Sequence, residues 1–132
     1  MDSLVEGLSY AVDDVAVDPE HVAEFSAVLG APDDIVPPSY FNVVLMGVVG
    51  EFVMSGLVPQ HGVVHTAEAA TYKRSLRLGE VVSTTLEVTA VRRRAGAVSV
   101  TTLTKVNAPA EPEIAVVTTT IAFEEEGAAA DE

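Results

Sequence analysis

The chain has no cysteine and no tryptophan, aromatic residues make up only 5% of its 132 residues, and seven Lys and Arg stand against 20 Asp and Glu. Each shortage excludes a class of function. Without cysteine there is no disulfide framework, no thiolate nucleophile and no cysteine metal site, and nothing points to an oxidising compartment. A formal charge of −13 repels phosphate, and no basic patch is interleaved with aromatics, so nucleic acid is not an expected partner. Met1-Asp2-Ser3 offers neither a positive flank nor an apolar run of signal-peptide length, which makes a cytoplasmic location the default. The most apolar stretch, opening at Ser39 and reaching Gly56, contains Glu51 and, before its end, two glycines, Gly47 and Gly50. At about 18 residues it falls short of the roughly 20 apolar residues a membrane span needs, so a buried central helix is expected and no membrane partner.

What is present suffices for one core. Hydrophobic residues are 48% of the chain, mostly valine and alanine, in a length that holds one domain, here 1–123, and no second globular unit. The acidity sits at the ends. Residues 1–38 carry nine acids and no Lys or Arg, and 124–132 carry five more. The latter stretch reads as a flexible acidic tail, and both ends read as solubilising surface or as a face for a cationic partner.

Along the chain, Asp18-Pro19 sets an N-cap with proline in the first helical position, and Val22, Phe25, Val28 and Leu29 recur at helical spacing until Gly30, so a short amphipathic helix is predicted there. Pro37-Pro38 marks a break, after which Ser39 can cap the second helix, apolar on every side and therefore expected to be surrounded by the rest of the domain. From His61 the pattern turns β-branched, with strands predicted near 61–73, 80–93, 97–107 and 113–124, and one more near Leu8–Val17. Short connections at Leu78-Gly79-Glu80, Arg94-Ala95-Gly96 and Ala108–Pro112 favour an antiparallel meander. The expected fold is α+β, a bent antiparallel sheet around one helix. Thr84, Thr102, Thr104, Thr118 and Thr120 are expected on its outer face, and its edges are expected to pair with a second subunit.

The segment Tyr72-Lys73-Arg74-Ser75-Leu76-Arg77-Leu78-Gly79-Glu80 and the strand after it resemble the aromatic-x-R-P-φ-R-φ-G-D strand and turn of the MaoC-like, hotdog-fold hydratases and dehydratases, above all their FAS1-like, substrate-binding halves. Val64-His65-Thr66 is similar to their Leu-His-Gly segment, and Pro37-Pro38-Ser39-Tyr40-Phe41 to the Pro-Pro-Thr-Phe-Pro opening of their central helix. Ser75 replaces a proline and Glu80 an aspartate. The resemblance covers most of residues 8–124 and implies a hotdog fold, a dimer, and an acyl thioester carried on coenzyme A or phosphopantetheine in a tunnel beside the central helix, with no further cofactor. It also implies reversible addition of water across a 2-enoyl thioester. In that reaction an Asp and a His from an Asp-x-Asn-Pro-x-His loop activate water and protonate the α-carbon, and a backbone N–H at the central helix polarises the carbonyl.

Here the sequence departs from the family. Only Ala31-Pro32-Asp33-Asp34-Ile35-Val36 separates Gly30 from Pro37. A forced match places Asp34 on the motif's aspartate and Ser39 where histidine should be. The expected function is therefore a component of an enoyl-thioester hydratase or 3-hydroxyacyl dehydratase that lacks the Asp/His dyad, homodimeric or paired with a second hotdog chain that supplies it. Two alternatives stand beside it: a thioesterase working through Glu51 or an Asp33/Asp34 carboxylate, and a pocket adapted to another biosynthetic step such as a cyclisation. The candidate catalytic residues are His65, Glu51 and Asp34. The candidate substrate-binding residues are Ser39, Tyr40, Asn42, His61 and Tyr72. Each has a plainer structural reading: Tyr40 and Asn42 as capping and packing residues, Asp33 and Asp34 as turn formers, and His65 as a structural histidine. His61 and His65 share a strand face at period two but have no third ligand, so no metal is expected. His21 is expected to face solvent, and Arg92-Arg93-Arg94 to be a solvated turn or a phosphate contact.

Overall fold

A computed structural model describes residues 4–30, 36–59 and 61–125. Five strands form one antiparallel sheet in the order β1-β3-β4-β5-β2. In chain order the elements are β1 (Ser9–Ala16), α1 (Pro19–Leu29), α2 (Tyr40–Val53), β2 (Val64–Tyr72), β3 (Val81–Arg94), β4 (Ala97–Ala108) and β5 (Glu111–Glu124).

Local chemistry sets α1 as its sequence implies. The Asp18 side chain accepts a hydrogen bond from the Glu20 N–H at 3.0 Å, Pro19 begins the helix, and Gly30 ends it at φ 71°, a left-handed conformation that favours glycine. Its buried stripe is Val22 and Ser26 with Phe25 partly covered. Val28 and Leu29, expected in that stripe, are exposed, Val28 by 88%, because the packed side turns toward the start of α2, where the Phe25 and Tyr40 rings meet edge to face at 5.4 Å.

The central helix is less enclosed than its composition suggests. Tyr40, Phe41, Val44, Leu45, Val48 and Phe52 are buried, a stripe at three- and four-residue spacing. The opposite side is also largely apolar, yet Met46 and Met54 are 68% and 74% exposed and Val49 and Val53 are partly so. The reason is placement. α2 packs on β1 and β3, with Phe52 against Tyr10 of β1 at 5.8 Å between rings, and its other side, toward β5 and β2, is left open.

β3, β4 and β5 do form successive hairpins, but β2 pairs with β5 and lies at the far edge from β3. The four-strand meander read from short connections is therefore wrong at its first step. Bridging from β2 to β3 spans three strand spacings, about 14 Å, more than a tight turn at residues 78–80 can cover, and all of residues 73–80 are used. Arg74 anchors this crossing. Its guanidinium pairs with Glu80 at 2.9 Å and with Glu111, at the start of β5, at 3.2 Å, and the Arg77 N–H also donates to Glu80. Gly79, at φ 81°, donates to the Val17 carbonyl at 2.8 Å and latches the crossing to the end of β1.

The threonines also divide. Thr84, Thr102 and Thr104 are buried on the concave face, because the parity of β3 and β4 is set by the valines and leucine that alternate with them. Thr118 and Thr120 lie on the convex side, where the Thr120 and Thr101 hydroxyls are 3.0 Å apart.

Candidate functional site

Between the uncovered side of α2 and the sheet lies an open cavity of about 760 Å³. Met46, Val49 and Val53 of α2 form one wall, and Thr102, Thr104 and Thr119 of β4 and β5 lie on its floor. β2 closes the outer side, contributing His65 and Glu68.

A β-bulge aims those two side chains. Strand parity alone puts residues three apart on opposite faces, but the register between β2 and β5 shifts between His65 and Ala67, so one extra residue is absorbed and His65 and Glu68 share the concave face. The pairing then lays out four rows across β2, β5 and β4. They are Tyr72–Ala115–Val106, Ala70–Val117–Thr104, Glu68–Thr119–Thr102 and His65–Ile121–Val100. Tyr72 belongs to the start of α2, its ring 4.9 Å from that of Phe41. His65 lies three rows away, about 20 Å along the strand, toward the other end of the helix, where Val58, Pro59 and Val63 also line the cavity.

Of the residues singled out from the sequence, Asn42 and His65 both line this cavity, at opposite ends, so they do not converge on one carbonyl. Tyr40 does not line it. Its side chain is buried and turned toward α1, with its hydroxyl 2.8 Å from His21 Nδ1, which also gives exposed His21 a partner. Burial, with the Asp18 charge second, raises the Tyr40 phenol above its ordinary pKa. Ser39 caps nothing with its side chain. It already has helical backbone angles, and the N–H groups of Tyr40, Phe41 and Asn42 donate to the carbonyls of Pro37, Pro38 and Ser39. The first turn therefore offers a carbonyl fewer free donors than a side-chain-capped helix would. Glu51 is exposed and outside the cavity lining, as is His61, which precedes β2. Tyr72 packs at the cavity's end without lining it. Asp34, with Asp33, lies outside the described residues.

Glu68 is the cavity residue that sequence reasoning missed. Period two from His65 selects Ala67 and Ala69, and only the bulge reverses that choice. The family-like turn is a structural device: hydrogen bonding to Arg74, outweighing burial, holds the Glu80 carboxyl below the ordinary carboxylate range, and the same pair raises the Arg74 guanidinium. Among the described residues no three His, Asp or Glu side chains gather as a metal site, and no helix is long and apolar enough to cross a membrane.

A bent antiparallel sheet holding one apolar helix, with a ligand-sized opening between helix and edge strand, defines a hotdog protein. The chain belongs to the MaoC-like hydratase and dehydratase family: residues 9–115 match the model of the FAS1-like dehydratase domain region. No curated protein matches the chain. Among solved structures it is similar to HtdX of Mycobacterium tuberculosis, with 22% identity, a TM-score of 0.73, and 89% of this chain aligned to 51% of that one. It thus spans about half the length of HtdX. It is also similar to the C-terminally truncated HadBC complex, a 3R-hydroxyacyl-ACP dehydratase from Mycobacterium tuberculosis, at 16% identity and a TM-score of 0.70 over 89% of this chain and 96% of that one. A MaoC-like dehydratase from Rhodospirillum rubrum aligns at 13% identity and a TM-score of 0.70 over 93% and 94% of the two chains.

Proposed function

We propose that this chain binds an acyl thioester as one component of an enoyl-thioester hydratase or 3-hydroxyacyl dehydratase, and that a second hotdog chain completes its cavity and supplies the catalytic Asp and His. The observation that carries the reading is an open, largely apolar cavity whose bounding elements are themselves exposed. Its volume suits a small-molecule ligand. One wall is made of exposed apolar residues of α2, and the outer side of a β2 strand exposed along its whole length on both faces. A bare strand edge and an apolar helix face beside it call for a partner. The chain has no Asp-x-Asn-Pro-x-His loop of its own, so hydration needs an acid and a base from elsewhere. HadBC, as a complex of related fold, supports a paired arrangement.

The test is calorimetry and hydratase assay with trans-2-decenoyl-CoA, on the chain alone and after mixing with a MaoC-like chain that carries the Asp/His loop. Binding with negligible turnover alone, and hydration on mixing, is the expected result. Loss of one positioned acid or base typically costs about 10²–10⁴-fold, so turnover alone within tenfold of an intact hydratase overturns the reading. Asn42→Ala and His65→Ala should each weaken binding by about 1–3 kcal/mol with unchanged melting. One observation keeps the thioesterase alternative open, with a different residue from those first considered: the carboxylate in the cavity is Glu68, not Glu51. Hydrolysis of decanoyl-CoA by the chain alone, abolished by Glu68→Gln, would select it.

A further inference from the structure

The cavity floor is not built only from the side chains an alkyl tail selects. Elsewhere on the concave face the strands present Val82, Val88, Val98, Val100 and Val106, but beneath the cavity Thr102, Thr104 and Thr119 stand among Leu86, Val117 and Ile121. Threonine and valine have nearly the same shape, so packing does not explain the exchange, and a buried hydroxyl without a partner is costly. Thr84, on the same face but under the helix, has its partner: its hydroxyl donates to the Val12 carbonyl at 3.1 Å. Thr102 and Thr104 are 6% and 3% exposed. Among the described residues the only fully enclosed side-chain polar atom left without a partner is Ser26 Oγ. The Thr102 and Thr104 hydroxyls make no hydrogen bond to those residues and keep their remaining accessible surface toward the cavity they line.

We infer that the cavity takes an acyl chain bearing a hydroxyl group part-way along its length. This rests on the acyl-thioester reading above and narrows it. Thr102, Thr119 and Glu68 stand in one cross-strand row, with Thr104 in the next row toward the start of α2. Both rows lie between the Tyr72 end and the His65 end of the cavity, so a chain running along it crosses them whichever end holds the thioester. The two kinds of group in the row complement a hydroxyl. The Glu68 carboxylate only accepts a hydrogen bond, while a threonine hydroxyl donates and accepts. An unsubstituted alkyl chain would leave the buried Thr102 and Thr104 hydroxyls facing hydrocarbon, the arrangement that discriminates most strongly against a ligand lacking the polar group.

The experiment compares dodecanoyl-CoA with 7-hydroxydodecanoyl-CoA by calorimetry on the full chain, with its partner chain present if the mixing experiment identifies one. The hydroxylated thioester should bind about tenfold tighter. The isosteric Thr102→Val/Thr104→Val variant should bring the two ligands within about twofold while binding dodecanoyl-CoA at least as well, and Thr102→Ser, which keeps the hydroxyl, should retain the preference. Thermal unfolding checks each variant. If the double variant does not fold, Thr102→Val and Thr104→Val are read singly, each reducing the preference. Equal affinity of the unaltered protein for both thioesters, or a preference that survives loss of both hydroxyls, overturns the inference while leaving the acyl-thioester reading standing. Failure to bind either thioester overturns that reading and this one with it.

Discussion

The two halves of the sheet are made from the same β-branched alphabet and end up in different physical states. On the β1–β3 side, α2 lies directly on the strands, and Val44, Val48, Leu86 and Val82 are buried. On the β5–β2 side the helix stands off, a cavity takes the place of packing, and every residue of β2 stays exposed. Composition did not decide which half would close. The position of the helix over the sheet did, and it divides a packed region from an open one.

The sharpest way to break this contrast is to place one charge on either side of α2. Val48→Asp puts a carboxylate where the parent side chain has no exposure. The cost is several kcal/mol against a total stability of roughly 5–15 kcal/mol, so the variant should not fold, as read by expression and circular dichroism. Val49→Asp, one residue on, faces the cavity. It should stay folded with a stability change of at most about 0.5 kcal/mol, yet lose thioester binding. Equal tolerance at both positions would erase the distinction between the halves.

A smaller effect comes from the crossing that joins them. Glu80→Gln removes a charged partner of Arg74 and should cost about 2 kcal/mol at neutral pH, measured by urea unfolding. Because the folded protein lowers the Glu80 pKa, its contribution is full above the unfolded value of about 4.3 and fades as pH falls through the lower folded value. The gap between parent and variant should therefore narrow toward pH 3. A gap independent of pH would assign the loss to packing. The smallest effect belongs to Tyr40→Phe, which loses the hydrogen bond to His21 and should destabilise by about 1 kcal/mol without altering thioester affinity, since Tyr40 lies outside the cavity. Weakened binding would extend the site to α1.

Much of the fold was legible because it is written locally. Asp18-Pro19 and Gly30 bracket α1, and each strand appears within a few residues of its reading. The hidden part depends on pairings between distant segments. Nothing in residues 73–80 alone says that β2 will join β5 and not β3; that follows from Arg74 meeting Glu111, thirty-seven positions later. Face assignments failed where parity was not local. The bulge after His65 brought Glu68 inward, and Thr102 and Thr104 face inward because Val98, Val100 and Val106 share their parity. His65 and Asn42 were found as cavity residues, but their separation along it needed the strand register. The resemblance supplied the architecture, and the short stretch between Gly30 and Pro37 is where the sequence departs from the family's pattern.

The strand order also has a consequence in time. β3, β4 and β5 are joined by tight hairpins and can assemble from neighbouring segments, whereas β1 and β2 must each return from far along the chain, His65 to reach Ile121 and Ser9 to reach Glu87. Closing such loops costs entropy that only later contacts recover. β1 recovers it beneath α2. β2, bare on both faces, has little beyond its ladder and the Tyr72–Phe41 contact to hold it, so its amides are the ones set to exchange with solvent first. Any occupant of the cavity that bridges helix and edge strand then acts as a latch on that strand.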